Sequence, residues 1–301
     1  MTFPRILVAT DFSAHAERAV VRAQAIAEAT NAHLQVLHVI DADTSAKHAD
    51  ELREFAESHF AEYRAAMSAA SRDRVSWSIV IGRDYKTILE QAEAAKSGLI
   101  VLGLHREELV RDLLIGSTVQ RVIKGASVPV LVVRDPGRRK YARIVVGIDF
   151  SEECATALRQ AIEWFPNAAF NLVHAYDVPF DGFLAGRAVT AEITAQNQNQ
   201  ARKFLETFLS EMPESPAGAP KLKCQLRLGV DVDVLRNETA AYRAQLLAIG
   251  RHGRSGPIGR LLSGAAADLL ANPPCDILIG SAAQRHDRPQ PASERGAAYA
   301  E

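Results

Sequence analysis

Short apolar runs, separated by longer stretches of helical spacing, recur along the whole chain. Residues 6–10, 34–39, 75–81, 99–102 and 130–133 are rich in Val, Ile and Leu and lack strict alternation. That is the pattern of strands buried on both faces. Between them the apolar positions take a helical period, as over residues 16–29, where Ala19, Ala23, Ile26 and Ala27 share one face. Ser13 and Ser151 stand where an N-cap should start the first helix of each unit. Strands alternating with helices predict a parallel sheet with right-handed crossovers. Longer helical stretches, 47–70 and 189–211, follow the second strand of each unit.

The pattern is a repeat. "RILVATDFS" (5–13) matches "RIVVGIDFS" (143–151), pairing Asp11 with Asp149, and "LQVLHV" (34–39) matches "FNLVHA" (170–175), pairing His38 with His174. Farther on, Gly82 answers Gly229, Gly103 answers Gly250, and "VPVLVV" answers "CDILIG". The reading is a first domain over 1–135, a polar Pro-Gly linker over 136–142, a second domain over 143–281 and a disordered tail over 282–301. Each domain reads as a Rossmann-like, doubly wound α/β unit. The last strands, 130–133 and 277–279, would be bare edges if left alone. Pairing them across the halves predicts an intramolecular pseudo-dimer, with or without a further homodimer of whole chains.

Two chemical features fall at matching places. Asp11 and Asp149 follow the first strand, and Gly103 and Gly250 open a loop after the fourth. In an open parallel sheet, ligands bind beyond the strand ends where the strand order reverses. The loop ends at a helix start, whose free N–H groups favour phosphate. "ATDFS", "GIDFS", "GRHGRSG…LLSG", "GLHRE…IGS" and "PVLVV" together resemble the universal stress protein family in tandem form, over nearly all of residues 1–281. The resemblance implies strand order 3-2-1-4-5 and binding of an adenine nucleotide: ATP, or ADP or AMP. A Mg²⁺ accompanying bound ATP would take its ligands largely from phosphates and water. It places the adenosine end at the Asp, and the phosphates at a Gly, two residues, Gly, nine residues, Gly-Ser/Thr pattern.

Neither half carries that pattern whole. The first keeps Gly103, Gly116, Ser117 and Thr118, beside His105, but has Arg106 where the second Gly belongs. The second keeps Gly250 and Gly253, with His252, Arg254 and Gly256, but closes on Ser263-Gly264 in inverted order. The loop from Gly103 to Ser117 is net −1, whereas that from Gly250 to Gly264 holds Arg251, Arg254 and Arg260 and no acid. Charge and the freedom of Gly253 therefore favour the second half as the phosphate site. The plainer alternatives are strand-ending turn glycines, capping acids and hydrogen-bonded core-edge histidines at His38 and His174.

Composition narrows the function classes. Lys and Arg number 35 against 36 Asp and Glu, a balance that favours neither nucleic acid nor an anionic membrane. No apolar run approaches the roughly 20 residues of a membrane span. Three scattered cysteines read as reduced structural thiols, and the setting as the cytoplasm. No His/Cys set has metal-ligand spacing. The leading expectation is a stress-response protein that binds its nucleotide as a regulatory ligand and acts through unidentified protein partners. The alternatives are a weak ATPase or self-phosphorylating protein, with Ser117, Thr118 or Ser263 as acceptor, and a nucleotide-free scaffold. The apolar loop 177–186 reads as a buried anchor, a lid or a contact surface.

Overall fold

The computed structural model describes residues 4–67, 69–104, 117–135, 137, 140–176, 187–211, 221–251 and 264–281. The first half builds β1 (Arg5–Ala9), α1 (Ala14–Thr30), β2 (His33–Asp41), α2 (Ala46–Ala66), α3 (Ala69–Arg72), β3 (Val75–Gly82), α4 (Asp84–Ala94), β4 (Leu99–Gly103), α5 (Ser117–Gly125) and β5 (Val130–Val133). The second half follows with β6 (Arg143–Gly147), α6 (Glu152–Trp164), β7 (Ala169–Tyr176), α7 (Arg187–Glu211) and β8 (Lys221–Leu228). It closes with α8 (Asp231–Tyr242), β9 (Leu246–Ile249), α9 (Gly264–Ala271) and β10 (Asp276–Ile279). The 177–186 loop and the 282–301 tail lie outside the described residues.

All ten strands join one sheet, in the order β3-β2-β1-β4-β5-β10-β9-β6-β7-β8. Each half is parallel and ordered 3-2-1-4-5. β5 and β10 meet antiparallel, with Val130 opposite Ile279 and Val132 opposite Ile277. The edge pairing expected from the sequence is present, and among the described residues it leaves β3 and β8 as the outer edges of the sheet. Adjacent residues of one strand serve opposite faces. Ile6 and Val8 join Ile144 and Leu246 in one core, whereas Leu7 and Ile100 join Val145 and Leu247 in the other. Both cores therefore run through both halves.

The helix starts follow the sequence. Ser13 Oγ accepts from the Ala16 N–H at 3.3 Å, and Ser151 Oγ from the Cys154 N–H at 3.2 Å. α1 buries Ala19, Ala23, Ile26 and Ala27 as its periodicity predicts. The stretch expected as one helix over 47–70 is broken instead. At Met67 the chain turns extended (φ −82°, ψ 149°) and buries that side chain before α3 begins.

A polar cluster locks the seam between the halves. Asp276, fully buried on β10, accepts from the backbone N–H groups of Arg134 and Asp135 at 2.8 and 2.9 Å. It also accepts from the Tyr141 hydroxyl at 2.5 Å and pairs with Arg22 Nε of α1 at 3.2 Å. The Arg22 guanidinium lies 4.6 Å from the Tyr141 ring centre. The connection read from sequence as a polar turn thus ends inside the molecule, because Tyr141 supplies the donor that a buried carboxylate needs.

Candidate functional site

β1 lies between β2 and β4, and β6 between β7 and β9. The strand order therefore reverses at these two strands, and a crevice opens at the carboxyl end of each. The turn that enters each crevice is built identically. Asp11 Oδ1 accepts from the Ser13 N–H at 2.9 Å. Asp149 Oδ1 accepts from the Ser151 N–H at 3.0 Å and from its hydroxyl at 2.5 Å. This Asx turn carries the residue between through positive φ: 61° at Phe12 and 62° at Phe150. Such a conformation costs a bulky residue about 1–3 kcal/mol. Ring packing offsets it, Phe12 lying 4.7 Å from His38 and Phe150 4.3 Å from His174. The paired phenylalanines stand inside the repeated "DFS", where the repetition itself was the signal that could have found them.

The two histidines hold the same turns from beneath. His38 Nδ1 lies 2.9 Å from the Thr10 carbonyl and His174 Nδ1 2.8 Å from that of Ile148. A carbonyl only accepts, so Nδ1 carries the proton in each. Both are backbone-bound, as the sequence reading preferred over catalytic bases.

Glycine at position 103 has a packing cause. A Cβ there would stand 2.5 Å from the His15 carbonyl oxygen, because β4 ends against the first turn of α1. At Gly250 the nearest atom, the Glu153 carbonyl carbon, is 3.3 Å away. Gly103→Ala is expected to destabilise the protein by about 1–3 kcal/mol, and Gly250→Ala by clearly less. Urea unfolding of the two variants measures this, and equal losses would contradict the close-approach account.

The first crevice, about 410 Å³, brings Asp11, Gly103 and Thr118 together with His15 and Asp84. The second, about 150 Å³, brings Asp149 and Gly250 together with Asp231 and Ala265. Gly264 opens α9 beside it, with open space where a Cβ would stand. Ser117 is the first residue of α5. His105, Gly116, His252, Gly253, Arg254, Gly256 and Ser263 lie outside the described residues, as do Arg106 and Arg260.

Asp84 and Asp231 are the crevice residues that sequence reasoning passed over. They occupy one register in the aligned "VIGRDY" and "RLGVDV" and begin α4 and α8, where an acid suits the helix dipole. Asp84 Oδ2 accepts from the Thr118 hydroxyl, so this candidate phosphate-binding group is already held by a carboxylate. Asp231 Oδ1 accepts from the Val232 N–H at 2.9 Å.

The two entry acids differ in surroundings. Asp11 is exposed, whereas Asp149 is half-buried. Its Oδ2 is fully buried and meets no N–H or O–H donor among the described residues; the neighbouring Cys154 thiol, a weak donor, is directed to the Ser151 carbonyl. Natural proteins rarely leave such an atom unmatched.

Arg251 departs from the reading that counted it toward the phosphate loop. It is buried, and its guanidinium donates to the carbonyls of Lys124 and Ala126, at 3.2 and 2.5 Å, where α5 of the other half ends. A cation there satisfies the helix's free carbonyls, so its charge ties the halves together and leaves Arg254 and Arg260 as the loop's basic residues.

The cysteines are structural. Burial pushes the Cys154 thiol up to about 12, with the Asp149 carboxylate adding to the rise, and the thiol donates to the Ser151 carbonyl at 3.1 Å. Burial raises Cys275 as well, and raises the half-buried Cys224. At pH 8 iodoacetamide is expected to modify Cys224 first and the other two only on unfolding. Mass spectrometry of the native protein checks this, and fast labelling of Cys154 would contradict its burial. Among the described residues, no cluster of three or more His, Cys, Asp or Glu side chains could hold a metal, and no helix is long and apolar enough to cross a membrane.

Tandem doubly wound α/β units, each with an acid and a glycine at its switch-point crevice, define the class of fold. The sequence model of the universal stress protein family matches the chain twice, over residues 2–134 and 140–280. The chain therefore belongs to the universal stress protein family, in tandem form. A universal stress protein of Thermus aquaticus is 35% identical over 139 residues, 44% of this chain and 99% of its own. The crystal structure of a universal stress protein from Archaeoglobus fulgidus superposes with a TM-score of 0.66 at 15% identity, covering 93% of this chain and 99% of that one. A universal stress protein crystallised with cAMP is 25% identical and covers 47% of this chain and 97% of its own, with a TM-score of 0.36.

Proposed function

We propose that the protein is a cytoplasmic, nucleotide-responsive module that binds ATP, or ADP or AMP in its place, at the crevice of the second half. It acts by changing its contacts with protein partners. The observation that carries this reading is the buried, unpartnered Oδ2 of Asp149 on the wall of that crevice. A nucleotide would supply the missing donor from its adenosine end. The free N–H groups at the start of α9, opening at Gly264, would face its phosphates. Mg²⁺ would neutralise the phosphates while taking its ligands from them and from water.

The first half is the weaker site in this reading, since Asp84 already occupies the Thr118 hydroxyl and adds a carboxylate to the crevice. At about 150 Å³ the second crevice is smaller than the roughly 300 Å³ at which ligand pockets begin. Nucleotide binding therefore requires it to open.

Calorimetric titration of the nucleotide-stripped protein with ATP and Mg²⁺ tests the proposal. The expected result is near one site per chain, lost in Gly253→Arg and retained in Gly116→Arg. No heat, and no thermal stabilisation by ATP, ADP or AMP, would overturn it. Loss in Gly116→Arg alone would move the site to the first half.

A further inference from the structure

A cavity of about 320 Å³ lies apart from both crevices, between α1 of the first half and the end of α6 of the second. One wall is a single stripe of α1, on which Arg22, Ala25, Ile26 and Ala29 stand one and two turns apart. The facing wall holds three rings: Tyr141, Trp164 and Phe165. The offset that pairs Asp11 with Asp149 also pairs Ala25 with Glu163 and Ile26 with Trp164. The repeats have thus diverged around this space. The first half contributes two alanines beside Ile26 and Arg22, the facing wall contributes three aromatic rings, and a gap remains between them.

The walls are held from both halves. Trp164 reaches the start of β4, its ring 3.3 Å from where a Cβ on Gly98 would stand. Phe165 meets the Tyr141 ring edge-on at 5.0 Å. At the floor, Arg22 is paired with Asp276, so the buried charges cancel. At the lip stand one exposed cation, Lys140, and one exposed anion, Glu163. They too balance.

We propose that this cavity is a binding site for a planar aromatic molecule of zero net charge with one hydrogen-bonding substituent at its edge. Three aromatic side chains facing Ala25, Ile26 and Ala29 make a slot for a ring, since offset and edge-to-face ring contacts are favourable. The volume sits at the low end of ligand pockets, which gather at domain interfaces, and it admits one ring system. A net charge would be desolvated against a floor whose own charges are already matched, and that is costly. The substituent lies at the lip, within the reach of Lys140 and Glu163. A ligand here touches both halves and stabilises their docked arrangement by linkage.

The chain has two tryptophans, so 5-fluorotryptophan labelling of the full protein gives two ¹⁹F resonances, assigned with Trp77→Phe. The probes are 2-naphthylmethanol, 2-naphthoate and 2-naphthylmethylammonium. Titration with 2-naphthylmethanol is expected to shift the Trp164 resonance in a saturable way and to leave Trp77 in place. Both charged probes should bind at least tenfold more weakly. Ala29→Leu, which fills the slot, should abolish the shift; Ala25→Leu serves the same purpose if that variant does not fold. An unmoved Trp164 resonance, equal binding of a charged probe, or unchanged affinity in the filled variant would each overturn the proposal.

Discussion

Asp276→Ala is expected to cost about 3–5 kcal/mol of unfolding free energy, the range for breaking a buried ion pair by removing one partner. The side chain is fully buried, accepts from two backbone N–H groups and a tyrosine hydroxyl, and pairs with an arginine. Removing it takes the ion-pair partner from Arg22, itself 5% exposed, and the acceptor from three further donors, of which the Tyr141 hydroxyl is buried. The donors come from α1 and from the connection after β5, and the acceptor stands on β10, so the loss falls on the seam between the halves. Urea unfolding followed by circular dichroism measures it. A companion triple variant, Arg22→Met, Tyr141→Phe and Asp276→Leu, removes every buried charge at once and should lose far less, because apolar replacements of a buried pair are often neutral. A loss as small as about 1 kcal/mol in Asp276→Ala would show that the cluster is hydrated.

The same cluster has a signature in alkali. Burial, reinforced by the Asp276 carboxylate, raises the Tyr141 hydroxyl pKa well above its ordinary value. The folded protein therefore holds this proton more tightly than the unfolded chain does. The stability that this supplies is fully present below about pH 10, where the unfolded tyrosine titrates, and is lost as the pH rises beyond it. Tyr141→Phe should start less stable and lack that increment of alkaline loss.

The fold was legible because parallel strands buried on both faces write themselves as unbroken Val/Ile/Leu runs, and because the second copy confirmed the first. Even the β5–β10 junction followed, from the cost of a bare edge taken together with the family resemblance. The candidate site was legible in outline only. Asp11, Asp149, Gly103 and Gly250 could be placed at the crevices, which they line, since a repeated acid at a strand end is a local signal. Which way a side chain turns is not local, so Arg251 was counted as a loop charge although it caps a helix of the other half. Tyr141 hid for the same reason, as its burial depends on Asp276, 135 positions along the chain. Asp84 and Asp231 were within reach, because one repeat register carries both.

Asp149→Asn is expected to weaken ATP binding at least tenfold, about 1.4 kcal/mol, while leaving the folded protein as stable as before or more so. Asparagine keeps Oδ1, which the Ser151 N–H and hydroxyl require, so the turn and its positive-φ Phe150 survive. In place of Oδ2 it puts an N–H₂ group, which turns a buried acceptor into a donor. A ligand donor aimed at that spot then meets another donor. Without ligand the change works in the other direction, for a buried carboxylate oxygen lacking a partner carries a desolvation cost of about 1–3 kcal/mol. Asp11→Asn is the control, since that carboxylate is exposed, and it should change affinity less than twofold. Calorimetry and thermal unfolding of the two variants separate the cases. Stability that rises as affinity falls marks a group kept for its ligand. Stability that falls with affinity unchanged would mean that the chain itself satisfies Oδ2, and that the nucleotide must be sought in the larger crevice of the first half.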